Sequence, residues 1–380
     1  MSTAGILVIK MRLHSAEKKK HRTKERMKKT FFVLLVLVIF LGSLQIVKAK
    51  GWLIPSQPEV NTKNRIIDLD ELTLEQKIAQ MIVVAGHPEN MRAWKNMQVG
   101  GIHFFAMQTE WVYNNTIIDF QYELPIPAFI TADLEGCVSP FDSIRTFPPA
   151  SKINSIGAAF EKGFEEGKFL RRMGFSLNFA PVVDLDDHIW KCRTFPGDEK
   201  KIAQLAESYL LGLQAQGVIG TAKHYPGKTL VVKDPHKFIV AAEIDSSDLY
   251  PYDYLTEKEE VKAVMVSHVI SNGVVNSSEV PAVVSPEVIA GLRKKFKGLI
   301  ISDEIHMLGL KNYFNHPDSM YIALFKAGND VILNFDKDPN EIYRMIQVVK
   351  SAVEDGDISE KQIDASVTRI LMAKGFEVRS

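Results

Sequence analysis

The chain reads as an α/β protein built on a single (β/α)8 barrel, and three observations support this. First, eight short β-branched or apolar runs recur, at 81–85, 100–106, 126–131, 176–183, 218–222, 263–267, 298–301 and 330–334. They lack the alternation of a sheet with one wet face, as expected for parallel strands buried on both sides. Second, amphipathic stretches long enough for helices separate most of them, such as 156–173, 200–216 and 286–296. Eight such units between residues 66 and 380 fit a barrel, which takes about 250 residues plus insertions. Third, polar residues follow five consecutive runs: Asp133 and Glu135, Asp184, Lys223 and His224, His268, then Asp303 and Glu304. In a barrel these strand ends converge on one mouth, where the active sites of this architecture lie.

The elements follow in order. Residues 31–47 read FFVLLVLVIFLGSLQIV, uncharged and apolar, behind the basic tract KKKHRTKERMKK. A comfortable membrane span needs about 20 residues, so this run is short for one. Read from Met27, the segment has a charged start, an apolar centre and Val47 and Ala49 at the small-residue positions of a signal-peptidase site. Residues 1–49 are therefore expected to be a signal peptide, with Met27 the true start. The alternative is an uncleaved anchor through residues 31–47. Either reading puts the rest outside the cytoplasm. Residues 50–65, with Pro55 and Pro58, form an expected linker. Residues 66–380 form the expected barrel, opened by a helix capped at Asp70 or Thr73 and closed by an amphipathic helix over 358–376.

Composition excludes some functions. Of 46 basic and 46 acidic residues, 11 and 2 fall in residues 1–49. That leaves 35 basic and 44 acidic residues, a net charge of −9 for the remainder. An acidic body without a basic stripe argues against nucleic-acid binding. No phosphate-binding glycine loop is present, which disfavours a nucleotide enzyme. The two cysteines, Cys137 and Cys192, make no metal-ligand spacing. They could form one bridge in an oxidising compartment; the sequence leaves this open.

The most informative segment is Lys223-His224-Tyr225-Pro226-Gly227 with Asp234-Pro235-His236. It sets a lysine, two histidines and a carboxylate at a strand end and in the loop after it. A histidine two residues from an aspartate can share a hydrogen bond that orients the ring for proton transfer. One isolated histidine would more often be an ordinary surface or core residue. The other polar strand ends shift that balance.

The stretches LTLEQKIAQMI, ADLEG, LNFAPVVDL, RTFPGD, KHYPG with DPH, MVSHV, LIISDEIHMLGL and ALFKAGNDVIL occur in this order. Together, over residues 66–378, they resemble the catalytic barrel of glycoside hydrolase family 3. The resemblance is to its single-domain β-N-acetylglucosaminidase branch, which trims peptidoglycan fragments. It implies that Asp303 is the nucleophile of a retaining glycosidase. It implies that His236 is the acid/base and Asp234 its partner, a departure from the usual two carboxylates. Asp133, Arg193, Lys223 and His224 match residues that bind the sugar hydroxyls. A carbohydrate is the implied partner; no cofactor and no metal are expected, and a monomer is. The chain ends where the barrel ends, as in the short branch.

Some family features are missing. The family's Asp-Gln-Glu-Gly-Gly-Arg-Val is here Asp133-Leu134-Glu135-Gly136-Cys137-Val138, shorter and without the arginine; a further arginine is replaced by Pro140. The Pro-Gly-His-Gly motif becomes Pro226-Gly227-Lys228-Thr229, and Pro235 stands where the dyad motif has serine, which restricts that loop. These departures touch the sugar-binding shell more than the chemistry. Two alternatives stay open: the same site using phosphate as acceptor, and a degenerate barrel that binds glycans without turnover.

Overall fold

The structure is a computed structural model that describes residues 3–137, 139–231 and 233–379. Val138, the end of the shortened glycine segment, lies outside the described residues. Contacts divide the chain into Met1–Leu53 and Ile54–Ser380. In the first unit Thr3–Ala49 forms one α-helix. Its stretch Lys18–Ala49 is long and apolar enough to cross a membrane. Phe31, Phe32 and Leu37 on it are exposed. A helix satisfies its backbone polar groups internally, so such a surface can enter hydrocarbon.

The second unit holds eight parallel strands: β1 Ile82–Ala85, β2 Gly101–His103, β3 Phe129–Ala132, β4 Leu177–Asn178, β5 Ile219–Tyr225, β6 Ala263–Val266, β7 Leu299–Ser302 and β8 Ile332–Asn334. Strand β8 pairs with β1 through Ile332 and Ile82. A parallel bridge from Ile301 to Val331 joins β7 to the entry of β8, so the sheet returns on itself. Around it stand α1 Met91–Met97, α2 Glu110–Gln121, α3 Ile156–Arg172, α4 Glu199–Gln214, α5 Ser246–Glu257, α6 Pro286–Lys295, α7 Pro317–Ala327, α8 Pro339–Glu354 and α9 Glu360–Ala373. The expected barrel is the observed one. Strands β1, β3, β6 and β7 are buried at every position, which explains their unbroken apolar text.

Local chemistry sets the ends. The opening helix, Leu74–Gln80, is capped by Thr73 in a reciprocal box with Gln76, not by Asp70. Asp198 and Ser285 cap α4 and α6 one-sidedly, their side chains accepting the backbone N–H of Lys201 and of Val288. Helices α3 and α4 meet backbone to backbone. A Cβ on Gly163 would lie 2.0 Å from the Tyr209 carbonyl oxygen, and one on Gly212 would lie 2.2 Å from that of Phe160. Only glycine permits that approach.

Two strand expectations need correction. The run 176–183 reads as one strand, yet only Leu177–Asn178 is ladder. Pro181 has no N–H to donate, and beyond it only single bridges from Val182 remain. Lys223 and His224, expected past the end of β5, lie inside it. The ladder is irregular between Lys223 and Tyr225. The sequence also gave no sign of two outlying pairs, 66–68 with 377–379 and 241–244 with 270–273.

Candidate active site

The C-terminal strand ends surround a cleft of about 440 Å³ lined by residues that include Asp133, Glu135, Trp190, Arg193, Lys223, His224, His236, Asp303 and Glu304. Six of the seven expected site residues line it directly. The seventh, Asp234, stands behind His236 and accepts from its Nδ1 at 2.9 Å. The same carboxylate oxygen accepts the His236 backbone N–H at 3.0 Å, so one atom fixes both ring and chain. The hydrogen bond to His236, among others, holds the Asp234 carboxyl below its usual range against the effect of its partial burial. With Nδ1 engaged, Nε2 is the nitrogen free for proton exchange.

The loop that carries this pair is docked. Leu308 donates its N–H to the His236 carbonyl at 3.0 Å. Gly309 lies so close that a Cβ there would meet the backbone of Phe238 at 2.8 Å. Leu308 and Gly309 open the short helix Leu308–Tyr313, which follows the loop that begins at Asp303 after β7. The docking therefore ties the histidine loop to the aspartate segment.

Asp303 leaves β7 with its N–H bonded to the Val266 carbonyl at 3.0 Å, and its Oδ1 accepts the Glu304 N–H at 2.8 Å. Burial would raise its carboxyl, but His268, His224, the Glu304 amide and Lys223 outweigh it and hold the group below the usual range. Burial lowers His268, and pushes His224 down to about 3, so both imidazoles are neutral at pH 7. The lasting contributions at that pH are the Glu304 amide and the Lys223 ammonium. Glu304 behaves oppositely: burial pushes it up to about 7 against the His306 and Phe335 amides that it accepts.

The polar floor is a preformed ion cluster. Lys223 Nζ lies 2.6 Å from Asp133 Oδ1 and 2.6 Å from Glu135 Oε1. Arg193 clamps Glu135 through Nε at 2.7 Å and Nη2 at 3.0 Å. Burial alone would discharge Lys223, but the two carboxylates more than offset it and keep the ammonium above its usual range. Arg193 Nη2 also faces His224 Nε2 at 3.4 Å. A guanidinium can only donate, so the ring proton sits on Nδ1, which donates to Asp184 at 2.8 Å. Burial pushes Asp184 up to about 7 despite Arg193 and the His224 amide.

Two supports lie behind this floor. The Asp187 carboxylate accepts the backbone N–H groups of Ile189, Trp190, Cys192 and Arg193 at 2.8 to 3.2 Å. Lys162 donates to the Glu135 carbonyl at 3.1 Å and pairs with Glu166, which accepts from the Tyr209 hydroxyl at 2.7 Å. The two cysteines are bonded to each other, with Cα atoms 5.5 Å apart. The bridge joins the Glu135 loop to the Arg193 loop.

Sequence reasoning missed Glu135 as the shared partner of Arg193 and Lys223, and Trp190 on the cleft wall. It also missed His103, stacked between Phe179 and Phe335 and 3.6 Å from Asp133. Glu135 carried a signal, its place two residues beyond Asp133. Trp190 carried none. Among the described residues no group of three or more His, Cys, Asp or Glu side chains is arranged to hold a metal ion.

Residues 73–373 match the glycosyl hydrolase family 3 N terminal domain. The chain belongs to this family. Among curated relatives it is 28% identical over 342 residues to a β-N-acetylglucosaminidase/β-glucosidase of Cellulomonas fimi, covering 80% of this chain and 58% of that protein. It is 26% identical to the β-hexosaminidase LpqI of Mycobacterium tuberculosis, covering 80% and 83%. The chain thus spans little more than half of the first relative and most of the second. Among solved structures it resembles a family 3 β-N-acetylglucosaminidase from a Paenibacillus strain, with a TM-score of 0.74, 25% identity and coverage of 80% and 62%. A family 3 glycosyl hydrolase from Mycobacterium smegmatis gives a TM-score of 0.73 at 27% identity, covering 81% and 99%.

Proposed function

We propose that this family 3 barrel is a retaining exo-β-N-acetylhexosaminidase that removes terminal β-linked N-acetylglucosamine from cell-wall-derived glycans. The observation that carries the reading is the Asp234–His236 hydrogen bond, in a loop docked on the segment that starts at Asp303, with His236 and Asp303 lining one cleft. Asp303 attacks the anomeric carbon as the glycosidic C–O bond breaks, and His236 gives its proton to the departing oxygen. His236, now neutral, takes a proton from the water that attacks the glycosyl-enzyme, and Asp303 leaves as carboxylate. Asp133, Arg193, Lys223 and His224 hold the sugar hydroxyls on a floor whose side chains are already fixed by their ion pairs and hydrogen bonds.

Hydrolysis is favoured over phosphorolysis. Both cations that line the cleft, Arg193 and Lys223, are already matched by Glu135 and Asp133. In the glycosyl-enzyme Asp303 is a neutral ester, and an incoming phosphate dianion would find both of these cations already paired with carboxylates. Turnover is favoured over a binding-only barrel because a relic would have no need of a docked Asp–His pair.

The apolar helix serves in this reading as a signal peptide or an anchor through residues 31–47. Residues 50–65 are the linker, and residues 66–380 act as a monomeric catalytic barrel outside the cytoplasm on peptidoglycan fragments. A panel of aryl β-glycosides with and without a 2-acetamido group tests the reading. Turnover of the N-acetylglucosaminide well above the glucoside is expected. No turnover of any member would sink it.

A further inference from the structure

Trp190 lies on the cleft wall with no role in the scheme above. Its position is set with care. Asp187 holds its backbone N–H at 2.8 Å, and the next residues are pinned by the same carboxylate and by the Cys192 bridge. The Arg193 guanidinium stacks over its ring, 4.8 Å from the centroid. The His236 ring meets it nearly at right angles, 79°, with centroids 5.5 Å apart. Trp190 therefore stands between a residue of the sugar-binding floor and the residue that protonates the leaving oxygen.

That geometry has a consequence. An acid/base must touch the glycosidic oxygen, which separates the departing group from the sugar being transferred. A side chain packed on that histidine lies within about one ring's width of the same oxygen. His236 is itself 55% exposed on its side chain, so this flank opens to solvent and can receive a second unit. A large rigid aromatic on such a flank offers a flat apolar face at low entropic cost. The C–H face of a pyranose ring matches it; a flexible peptide or a small alcohol does not.

We propose that Trp190 forms the wall of the leaving-group subsite and selects a pyranose ring there. The inference rests on the glycosidase reading and adds the residue that holds the departing sugar and discriminates it from a simple alcohol. The same subsite would admit a sugar as acceptor, its hydroxyl attacking the anomeric carbon of the glycosyl-Asp303 in place of water. His236 would take the hydroxyl proton and Asp303 would leave as carboxylate.

The test uses this partition, because His236 serves every acceptor as base and its contribution cancels in a ratio. The full chain is given an aryl donor with methanol and with N-acetylglucosamine as competing acceptors, and the two transfer products are quantified. The wild type is expected to favour the sugar. Trp190→Ala is expected to lower the sugar-to-methanol ratio at least tenfold, and Trp190→Phe, which keeps a flat ring, to retain most of it. An unchanged ratio in Trp190→Ala would overturn the subsite. An equal loss in Trp190→Phe and Trp190→Ala would also overturn it, since the aromatic face would then not be what selects. Absence of any donor turnover by the wild type would instead remove the glycosidase reading on which the subsite stands.

Discussion

Leu308 donates its N–H to the His236 carbonyl at 3.0 Å, and this bond joins the two segments that the proposed mechanism needs together. The neighbouring Gly309 has no room for a side chain, since a Cβ would meet the Phe238 backbone at 2.8 Å. Gly309→Leu is expected to push the histidine loop away while the barrel stays folded. Misplacing a catalytic group by about 1 Å can cost on the order of a hundredfold. A disaccharide assay should therefore lose about ten- to a hundredfold in kcat/KM. Unaltered kinetics would mean that the docking does not position His236.

His236→Ala is expected to separate substrates by their leaving group. A sugar alkoxide needs a proton as it departs; an activated nitrophenolate needs almost none. Loss of activity on the disaccharide should exceed the loss in nitrophenolate release by about a hundredfold or more. Asp234→Asn should give a milder form of the same pattern. Equal losses on both substrates would assign the histidine a positional role.

The Cys137–Cys192 bridge closes a sequence separation of 55 residues. Chain-entropy arguments put its contribution at about 4 kcal/mol. It also ties the loop of Glu135 to that of Arg193. Cys137→Ser with Cys192→Ser, or mild reduction by a dithiol, is expected to lower the denaturant midpoint. KM for a glycoside should also rise as the ion-paired floor loosens. A reduced protein with the same midpoint and KM would show that the ion pairs alone hold the floor.

Stability should fall as pH rises toward 8. Folded Glu304 keeps its proton up to about 7, because burial outweighs the amides it accepts, while the unfolded group loses it near 4.5. The native state then binds more protons between these values. The stabilisation is complete below 4.5 and is lost as pH rises through 7, by about 3 kcal/mol at most. Asp184 acts in the same direction, also reaching about 7. Urea denaturation at pH 5.5 and pH 8 should show this decline, and Glu304→Gln should flatten it. A variant with the wild-type slope would remove Glu304 as the source.

What was legible in the sequence follows from the range of the interactions. The barrel was legible because each strand announces itself locally, as in the fully buried β1 and β7. The Asp234–His236 hydrogen bond and the position of Asp303 just past a buried strand were legible because a motif of a few residues carries each. The ion cluster was not, because its members come from distant loops: Arg193 and Glu135 are 58 residues apart, and Lys223 and Asp133 are 90. Lys223 and His224 looked like loop because polar residues usually end a buried strand, yet they continue the ladder to Tyr225. The disulfide could only be raised as an option, since two cysteines at this distance fix no pairing by themselves. Trp190 gave no signal, because its place depends on Asp187 gathering four backbone amides around one carboxylate.

The measurement that bears most directly on the central claim is covalent trapping of the nucleophile. The full chain is incubated with a fluorinated N-acetylglucosaminyl fluoride, digested and mapped by mass spectrometry. A slow, stoichiometric sugar adduct on Asp303 is expected, with Asp303→Asn unlabelled and inactive yet folded. An adduct on Glu304 or Asp133, or full turnover by Asp303→Asn, would overturn the assignment of Asp303 as the nucleophile.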